Sequence, residues 1–498
     1  MEKLTINDFS LGWTPNDDPL GGRKNGLVRM DSVELDSNGA IQMCGGTDRI
    51  GTVYPSTAHT IFSKSFSALG MVNYLADTAG GVYRNNTLLS AAGSITRTAF
   101  SAAYDYVLIC SGNYRVRDTG ATTYNLGRTA PTVAPTTALN GAGVLTGSYE
   151  YCQINVFKNN AYVGKSPRSS ISTALVASSN KISVDPEAPT VADADANEVW
   201  LFRRGGTLEE FYRIAVRTTY AAFDDNMSDT DALTLGISLN EYLTSVASSG
   251  ITNAIVAIIG QIQQRTIYFT QNSIYLSEIN SPDTYDSRFV MGLSTNTATE
   301  LFCWAIKVGE NLILIGTTQD IYVLTGSFIQ HPDGFLDVYL RPLGVEVPPI
   351  SIDVAVYNGN VVYMAQHGWV LLSPSGQYVN LTIPNIDRLY RGETVNNNEG
   401  VPIYIFQEYR YSCAVTQDKL WVRVPQIVNN DPAQTFTYRM EVYDFNRKYW
   451  RRLYYGTGTP LMLHGREDGA IIGFFDSDKF LKQISYPFAK TLENASST

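Results

Sequence analysis

Asn311-Leu312-Ile313-Leu314-Ile315-Gly316 leads through a short polar turn into Asp320-Ile321-Tyr322-Val323-Leu324, and Asn360-Val361-Val362-Tyr363-Met364-Ala365 leads likewise into Gly368-Trp369-Val370-Leu371-Leu372. In both, the first strand is apolar at successive positions instead of alternate ones. That pattern predicts burial on both faces, as for a sheet held between two neighbours. The turn between two such runs predicts a β-hairpin.

Working outward, the same unit recurs at Val72 to Ala76 with Gly81 to Tyr83, Tyr106 to Cys110 with Tyr114 to Val116, and Thr266 to Thr270 with Ser273 to Leu276. It returns at Lys419 to Val424, and at Ala470 to Phe475 with Lys479 to Ile484, making seven candidate hairpins. Tyr268, Leu314, Tyr363, Trp421 and Ile472 are comparable strand centres, separated by 46, 49, 58 and 51 residues. A four-stranded propeller blade takes about 40 to 50 residues. Leu420, Val422 and Val424 alternate with Arg423, which predicts a later strand nearer a solvated rim. The expected fold is therefore all-β: a β-propeller.

From about Arg128 to Leu235 the pattern changes to short strands punctuated by Pro131, Pro135 and glycines, among them Tyr149-Glu150-Tyr151-Cys152 and Glu198-Val199-Trp200-Leu201-Phe202. This predicts an inserted immunoglobulin/fibronectin-like β-sandwich. An insertion between blades costs little loop entropy and leaves a ring closed. The expected organisation is first blades with an N-terminal arm over 1–127, the inserted sandwich over 128–250, remaining blades over 251–490 and a frayed tail over 491–498. Helix signals are confined to one or two turns within Leu239 to Ala257 and one near Asn385 to Arg391.

Composition agrees with a folded β protein. The 498 residues are 44% hydrophobic and 17% charged, with 31 Tyr, 20 Phe and 40 Gly. A net charge of -10 argues against a protein that grips nucleic acid, which needs cations to displace phosphate counterions. An acidic conduit past which DNA slides is still allowed. Cys44, Cys110, Cys152, Cys303 and Cys413 are odd in number and widely spaced, so they read as reduced, mostly buried thiols. No apolar stretch approaches the roughly 18 residues of a membrane span, and Met1 to Trp13 lacks a signal-like apolar run. Synthesis and folding in a cytoplasm are expected.

Several strings carry possible chemistry. Val163-Gly164-Lys165-Ser166 imitates the end of a phosphate loop, but Asn159 stands where the first glycine belongs and Pro167 follows, so a strand connection is the better reading. Asp193-Ala194-Asp195-Ala196-Asn197 imitates a calcium loop, yet Glu198 replaces the needed glycine and Arg204 the bidentate glutamate. Asp224, Asp225, Asp229 and Asp231 form a second acidic cluster; both clusters read as solvated loops. His59, His331, His367 and His464 are isolated and read as loop or turn histidines. There is no G-x-S-x-G elbow. Asn446-Arg447-Lys448-Tyr449-Trp450-Arg451-Arg452-Leu453-Tyr454-Tyr455 interleaves bases and aromatics as single-strand binders do, but reads better as an outer strand with cationic stems over rings. No catalytic, cofactor or metal residue is nominated, and no enzyme activity is expected.

Gly12-Trp13-Thr14-Pro15, Gly26-Leu27-Val28-Arg29-Met30-Asp31-Ser32-Val33-Glu34-Leu35-Asp36 and Asn38-Gly39-Ala40-Ile41-Gln42-Met43-Cys44-Gly45-Gly46 together resemble the opening of tail nozzle, or tail tubular B, proteins of short-tailed bacteriophages. The hub proteins that stabilise packaged DNA are more distantly similar. Ile267-Tyr268-Phe269-Thr270 and the stretch from Ser277 to Tyr285 resemble blades of the same family. None of the six tryptophans is followed by Asp, unlike the WD40 signature, and there is no sialidase Asp-box.

The resemblance implies a structural virion protein of the tail, forming a homohexameric ring below the portal and adaptor. Such a ring continues the DNA channel, closes it before ejection and supports fibre or spike proteins, touching passing DNA without sequence specificity. The alternative from another class is a glycan-binding or glycan-degrading propeller acting in host adsorption, with Trp369, Trp421 or Tyr454 as sugar platforms.

Overall fold

A computed structural model describes residues 12–13, 26–27, 33–35, 41–43, 47–190, 195–239, 245–293, 300–329, 336–383, 386–393, 411–426, 437–453 and 460–484. Strand dominates throughout, and no helix among the described residues is long and apolar enough to cross a membrane. The chain divides into two compact units. One comprises Met1–Thr98, Asn296–Thr325 and Tyr339–Thr498, and the other Ala99–Thr295 with Gly326–Val338.

In the first unit, antiparallel meanders follow one another along the chain. Their strands are Ala58–Phe66, Gly70–Asp77, Val82–Arg84 and Thr87–Ser90; then Phe302–Gly309, Leu312–Thr317, Ile321–Ser327 as far as Thr325 and Asp337–Pro342 from Tyr339; then Pro349–Tyr357, Asn360–Ala365, Gly368–Leu372 and Tyr378–Asn380. Ser412–Thr416, Lys419–Gln426, Thr437–Asp444 and Tyr449–Leu453 form the next. Pro460–Gly465, Ile471–Phe475 and Phe480–Ile484 make the last, which takes its fourth strand from Thr47–Ile50 at the other end of the sequence. The first strands of successive meanders pack side by side, from 302–309 through 349–357, 412–416 and 460–465 to 58–66.

The unbroken apolar runs have the environment they predict. Val361 and Tyr363 pack in a cluster with Trp304, Leu314 and Val323 on one side of their sheet. Val362 and Met364, pointing the opposite way, pack with Cys413, Leu420, Val422 and Trp450 on the other. Two neighbours are thus served by successive residues of one strand.

All seven hairpins are present, and each of the five strand centres lies in the second strand of its meander. Asn358-Gly359 turns with positive φ at both residues, 48° and 73°, the conformation a two-residue hairpin favours. The rim placement of Arg423 is corrected. Lys419–Gln426 is paired along both edges, and Arg423 is fully buried with the Tyr438 ring centroid 3.4 Å from its guanidinium carbon. Desolvation lowers the Arg423 pKa to about 10.

The second unit holds two meanders and the insertion. Ala99–Ala103, Tyr106–Ser111, Tyr114–Asp118 and Thr123–Asn125 form one meander. Ala257–Ile262, Arg265–Phe269, Ser273–Glu278, Ser281–Gly292 and Ser245–Ala247 form the other. Between them in sequence, Thr136–Asn159, Tyr162–Lys165, Leu175–Asp185, Glu198–Gly205, Leu208–Arg217 and Phe223–Asp225 join in one six-stranded antiparallel sheet, whereas an immunoglobulin-like sandwich has two. The physical reason is Thr136–Asn159, a 24-residue strand long enough to pair with Leu175–Asp185 along one part and Glu198–Gly205 along the next.

Asp229–Leu235 is a helix that the acidic-cluster reading missed. Its signals are legible: Ser228 caps the Asp231 amide, acidic residues occupy the first turn, and Gly236 ends it in a left-handed conformation. The expected helical turns appear as short 3-10 turns at Ser248–Gly250 and Leu389–Arg391. The tail at 491–498 lies outside the described residues.

Candidate functional site

The densest chemistry in the second unit lies where the inserted sheet meets the flanking meanders. Arg117, near the end of Tyr114–Asp118, and Arg128, just beyond that meander, are both buried. Asp283, inside Ser281–Gly292, is fully buried and Asp195 nearly so. Arg117 pairs with both carboxylates, at 3.3 Å from Asp283 Oδ2 and closer still to Asp195. Arg128 does the same, at 2.9 Å from Asp195 Oδ1 and 3.4 Å from Asp283 Oδ2. Two cations and two anions therefore balance within one largely buried junction.

Hydrogen bonds complete it. The Tyr162 hydroxyl donates to Asp283 Oδ2 at 2.8 Å and accepts from Arg117 at 3.1 Å, while the Gly127 amide donates to Asp283 Oδ1 at 2.9 Å. Aromatic rings surround the Arg117 guanidinium: Phe157 at 4.6 Å, Tyr162 at 5.0 Å, Tyr124 at 5.2 Å and Tyr106 at 5.8 Å. Burial disfavours the Arg117 charge, but Tyr162 and Asp283 outweigh it and hold the pKa above its usual value. Burial also pushes the Tyr162 hydroxyl well up, so it stays a donor. The junction fixes the orientation of the inserted sheet on its own unit.

Gly164 makes the approach possible. A Cβ there would stand 2.2 Å from Asp283 Oδ2, so any side chain would part the strand from the carboxylate. The same contact excludes a phosphate from Val163-Gly164-Lys165-Ser166, because an anion already faces it. That string is instead an edge strand whose Val163 amide bonds the Asn280 carbonyl at 2.8 Å, and its Lys165 faces Glu278.

Beyond it, Ser166, Ser169 and Ser172 recur every third residue. Their hydroxyls accept the amides of Asn155, Gln153 and Tyr151 at 2.9 to 3.0 Å, and their own amides donate to the carbonyls of the same three residues. This ladder satisfies an edge of the long strand that no regular strand covers.

The acidic clusters are occupied from within. Asp195 serves the two arginines; Asp193 lies outside the described residues. Arg203, fully buried, donates to Asp225 at 2.7 Å, Asp229 at 2.9 Å and the Met227 carbonyl at 2.8 Å. Tyr151 adds a hydrogen bond to Asp225 at 2.9 Å, Asn140 bonds Asp224 at 2.7 Å, and Asp231 takes the Ser228 hydroxyl at 2.7 Å. The solvated-loop reading is therefore corrected for Asp225 and Asp229, which are structural counterions of a buried arginine.

His59 and His464 are strand residues, a second correction. His59 bonds the Ser94 carbonyl and Thr60 hydroxyl; His464 Nε2 accepts the Ser63 amide at 3.2 Å. Desolvation, then Arg466, lowers the His464 pKa to about 4. His367 lies in a turn, and His331 is outside the described residues.

Tyr449 and Trp450 are core residues, with Trp450 Nε1 donating to the Leu381 carbonyl at 2.7 Å, and Arg451 is buried. That strand is covered by Gly12–Trp13, so it is an interior strand and not an outer one. Cys110, Cys152, Cys303 and Cys413 are buried free thiols; burial raises the first three to about 12 and raises Cys413 as well. Cys44 is outside the described residues.

Sequence reasoning missed Arg117, Arg128 and Asp283. The three-residue serine period was a visible signal for the ladder, but nothing local marks an aspartate as the partner of arginines more than 150 residues away.

No family model matches the sequence, and no curated protein matches it significantly. Among solved structures, the chain is similar to the WD40 β-propeller domain of Doa1 at 8% identity, covering 89% of this chain and 97% of that one, with a TM-score of 0.33. An ancestral GH74 enzyme aligns at 10% identity over 92% of this chain and 62% of its own, with a TM-score of 0.32. The Neurospora crassa Pan2 WD40 domain aligns at 10% identity over 56% and 68%, with a TM-score of 0.27.

Proposed function

We propose that this chain is a structural virion protein, the tail nozzle subunit of a short-tailed bacteriophage. Six copies form a ring that continues the DNA channel below portal and adaptor, closes it before ejection and supports fibre attachment. In this reading the seven meanders are blades of a β-propeller, and the inserted sheet is a rigidly seated docking module.

The observation that carries the proposal is the role of the N-terminal segment, on which the family resemblance rests. Gly12–Trp13 pairs antiparallel with Trp450 at the edge of one C-terminal meander, and Gly26–Leu27 adds to it. Thr47–Ile50, just beyond, completes the last meander through register pairs such as Ile50 with Leu481. The resembling segment is thus a clasp joining chain ends, which suits a wall that must not open at a sheet edge. The charge of -10 supports a conduit that does not retain DNA.

The glycan alternative loses its named platforms. Trp369 and Trp421 are at most 1% exposed, and Trp369 Nε1 is spent on the Tyr390 hydroxyl at 3.0 Å. Tyr454 lies outside the described residues.

Electron microscopy of the purified chain mixed with its adaptor and portal tests the proposal. A six-fold tube stacked coaxially on the adaptor is the expected result. A chain that ignores the adaptor, or particles that keep their genome and infect without it, overturns it.

A further inference from the structure

We propose that the seam of the first unit between Ala58–Phe66 and Pro460–Gly465 is an acid-sensitive latch, which loosens on protonation while the neighbouring seam between Ser412–Thr416 and Pro460–Gly465 holds. The latch belongs to the first unit itself and does not depend on the nozzle reading.

Ala58–Phe66 is the end strand of its meander and pairs with Gly70–Asp77 along one edge. Two of its amides, at alternate positions, are taken by side chains of the last meander. His464 Nε2 accepts the Ser63 amide at 3.2 Å, and Glu467 Oε2 accepts the Ser65 amide at 3.2 Å. Glu467 also accepts from Lys64 Nζ at 3.4 Å. Both acceptors are bases. A protonated imidazole turns an N–H towards the Ser63 N–H, and a protonated Glu467 is a weaker acceptor with no charge to hold Lys64.

The neighbouring seam uses the same device with a different atom: Ser412 Oγ accepts the Leu463 amide at 3.0 Å. In the second unit, Ser101 Oγ likewise accepts the Gly260 amide at 2.9 Å. A hydroxyl keeps its lone pairs across the whole range in which imidazole and carboxylate titrate. The two seams of Pro460–Gly465 therefore differ in chemistry and not in geometry.

Linkage sets the direction. In the closed seam desolvation, then Arg466, holds His464 at about 4, and in water it titrates at an ordinary 6.5. Opening takes up a proton, so it becomes easier as pH falls from 6.5 towards 4. The surrounding groups do not reverse this. Arg466 is engaged by Gln483 and Asp468, and Lys64 by Glu467. His59 of the facing strand bonds the Ser94 carbonyl, and Asp77 of the strand behind it accepts the Ala79 and Gly81 amides. Tyr74 lies on that same strand, and burial keeps Cys413 of Ser412–Thr416 a neutral thiol. At the foot of the seam the Thr57 hydroxyl donates to Asp476 at 2.6 Å. Burial opposes the Asp476 charge, but Lys479 and Thr57 hold its pKa below the usual carboxylate value, so Thr57 stays bonded where His464 has let go.

Amide hydrogen exchange of the full-length chain tests the latch, expressed at each pH as protection relative to the intrinsic rate. Between about pH 7 and about pH 4, protection of the Ser63 and Ser65 amides should fall at least about tenfold while that of Leu463 holds. His464→Gln with Glu467→Gln supplies amide oxygens that accept at every pH and should abolish the fall. Its melting temperature at neutral pH checks that the double variant folds. Glu467→Gln alone, at a side chain 48% exposed, gives a second test: Ser65 should keep its protection in acid while Ser63 still loses it. Equal losses at Ser63 and Leu463 in the wild type would mean general loosening and overturn the proposal. So would a fall that persists in the folded double variant, or one that Glu467→Gln leaves unchanged at Ser65.

Discussion

Between Leu312 and Leu372 the strands of the first unit are held by aliphatic and aromatic neighbours on both faces, whereas the inserted sheet is seated through two buried arginines and two aspartates. The apolar contacts form with whichever neighbour is close, and each residue contributes a little. The ion pairs are few and specific. Their attraction must offset a desolvation cost of several kcal/mol per ion, so their worth lies in orientation more than in net stability. Repetition can be built from the first kind of force, but a unique docking angle is set by the second.

The sharpest way to break this contrast is Asp283→Asn. It leaves Arg117 and Arg128 buried beside a single remaining carboxylate, and a loss of about 3–5 kcal/mol is expected in urea denaturation. Trp421→Ala, which opens a cavity among Ala414, Val442 and Leu463, should cost about as much. The difference should appear on repair. Replacing Arg117 together with Asp283 should recover much of the first loss, while no polar partner recovers the second. Equal additivity in both cases would remove the distinction.

Gly164→Ala is next in size. The close Asp283 oxygen predicts about 1–3 kcal/mol of destabilisation. Gly292→Ala, at a strand position with nothing within 4 Å of the added Cβ, should change the melting temperature little and serves as control. A silent Gly164→Ala would mean the strand can retreat from the carboxylate without loss.

The smallest effects are pH slopes in the first unit. His464 titrates near 4 when folded and at an ordinary 6.5 when unfolded, so the unfolded chain takes the proton first and stability falls as pH drops from 6.5 towards 4. Asp353 behaves oppositely. Desolvation outweighs its hydrogen bond with Ser412 and raises it from 3.8 to about 6, so stability falls as pH rises across that interval. Melting temperature against pH should show His464→Gln losing the acid-side decline and Asp353→Asn losing the opposing one. Unchanged slopes in either variant would show that these groups do not govern the first unit's pH response.

The sequence by itself determined the all-β class, the seven hairpins and the burial of strands such as Val361 to Met364 on both faces, because alternation, apolar runs and turn residues are local physics. It also carried the serine ladder and the Ser228 cap in plain view. Only the tertiary structure decided that Arg423 is buried, that His464 is a strand residue, that the insertion is one sheet and that Arg117, Arg128, Asp195 and Asp283 meet. A charged side chain looks the same in sequence whether water or a distant counterion solvates it. The choice between them depends on which remote segments the fold brings within about 3 Å.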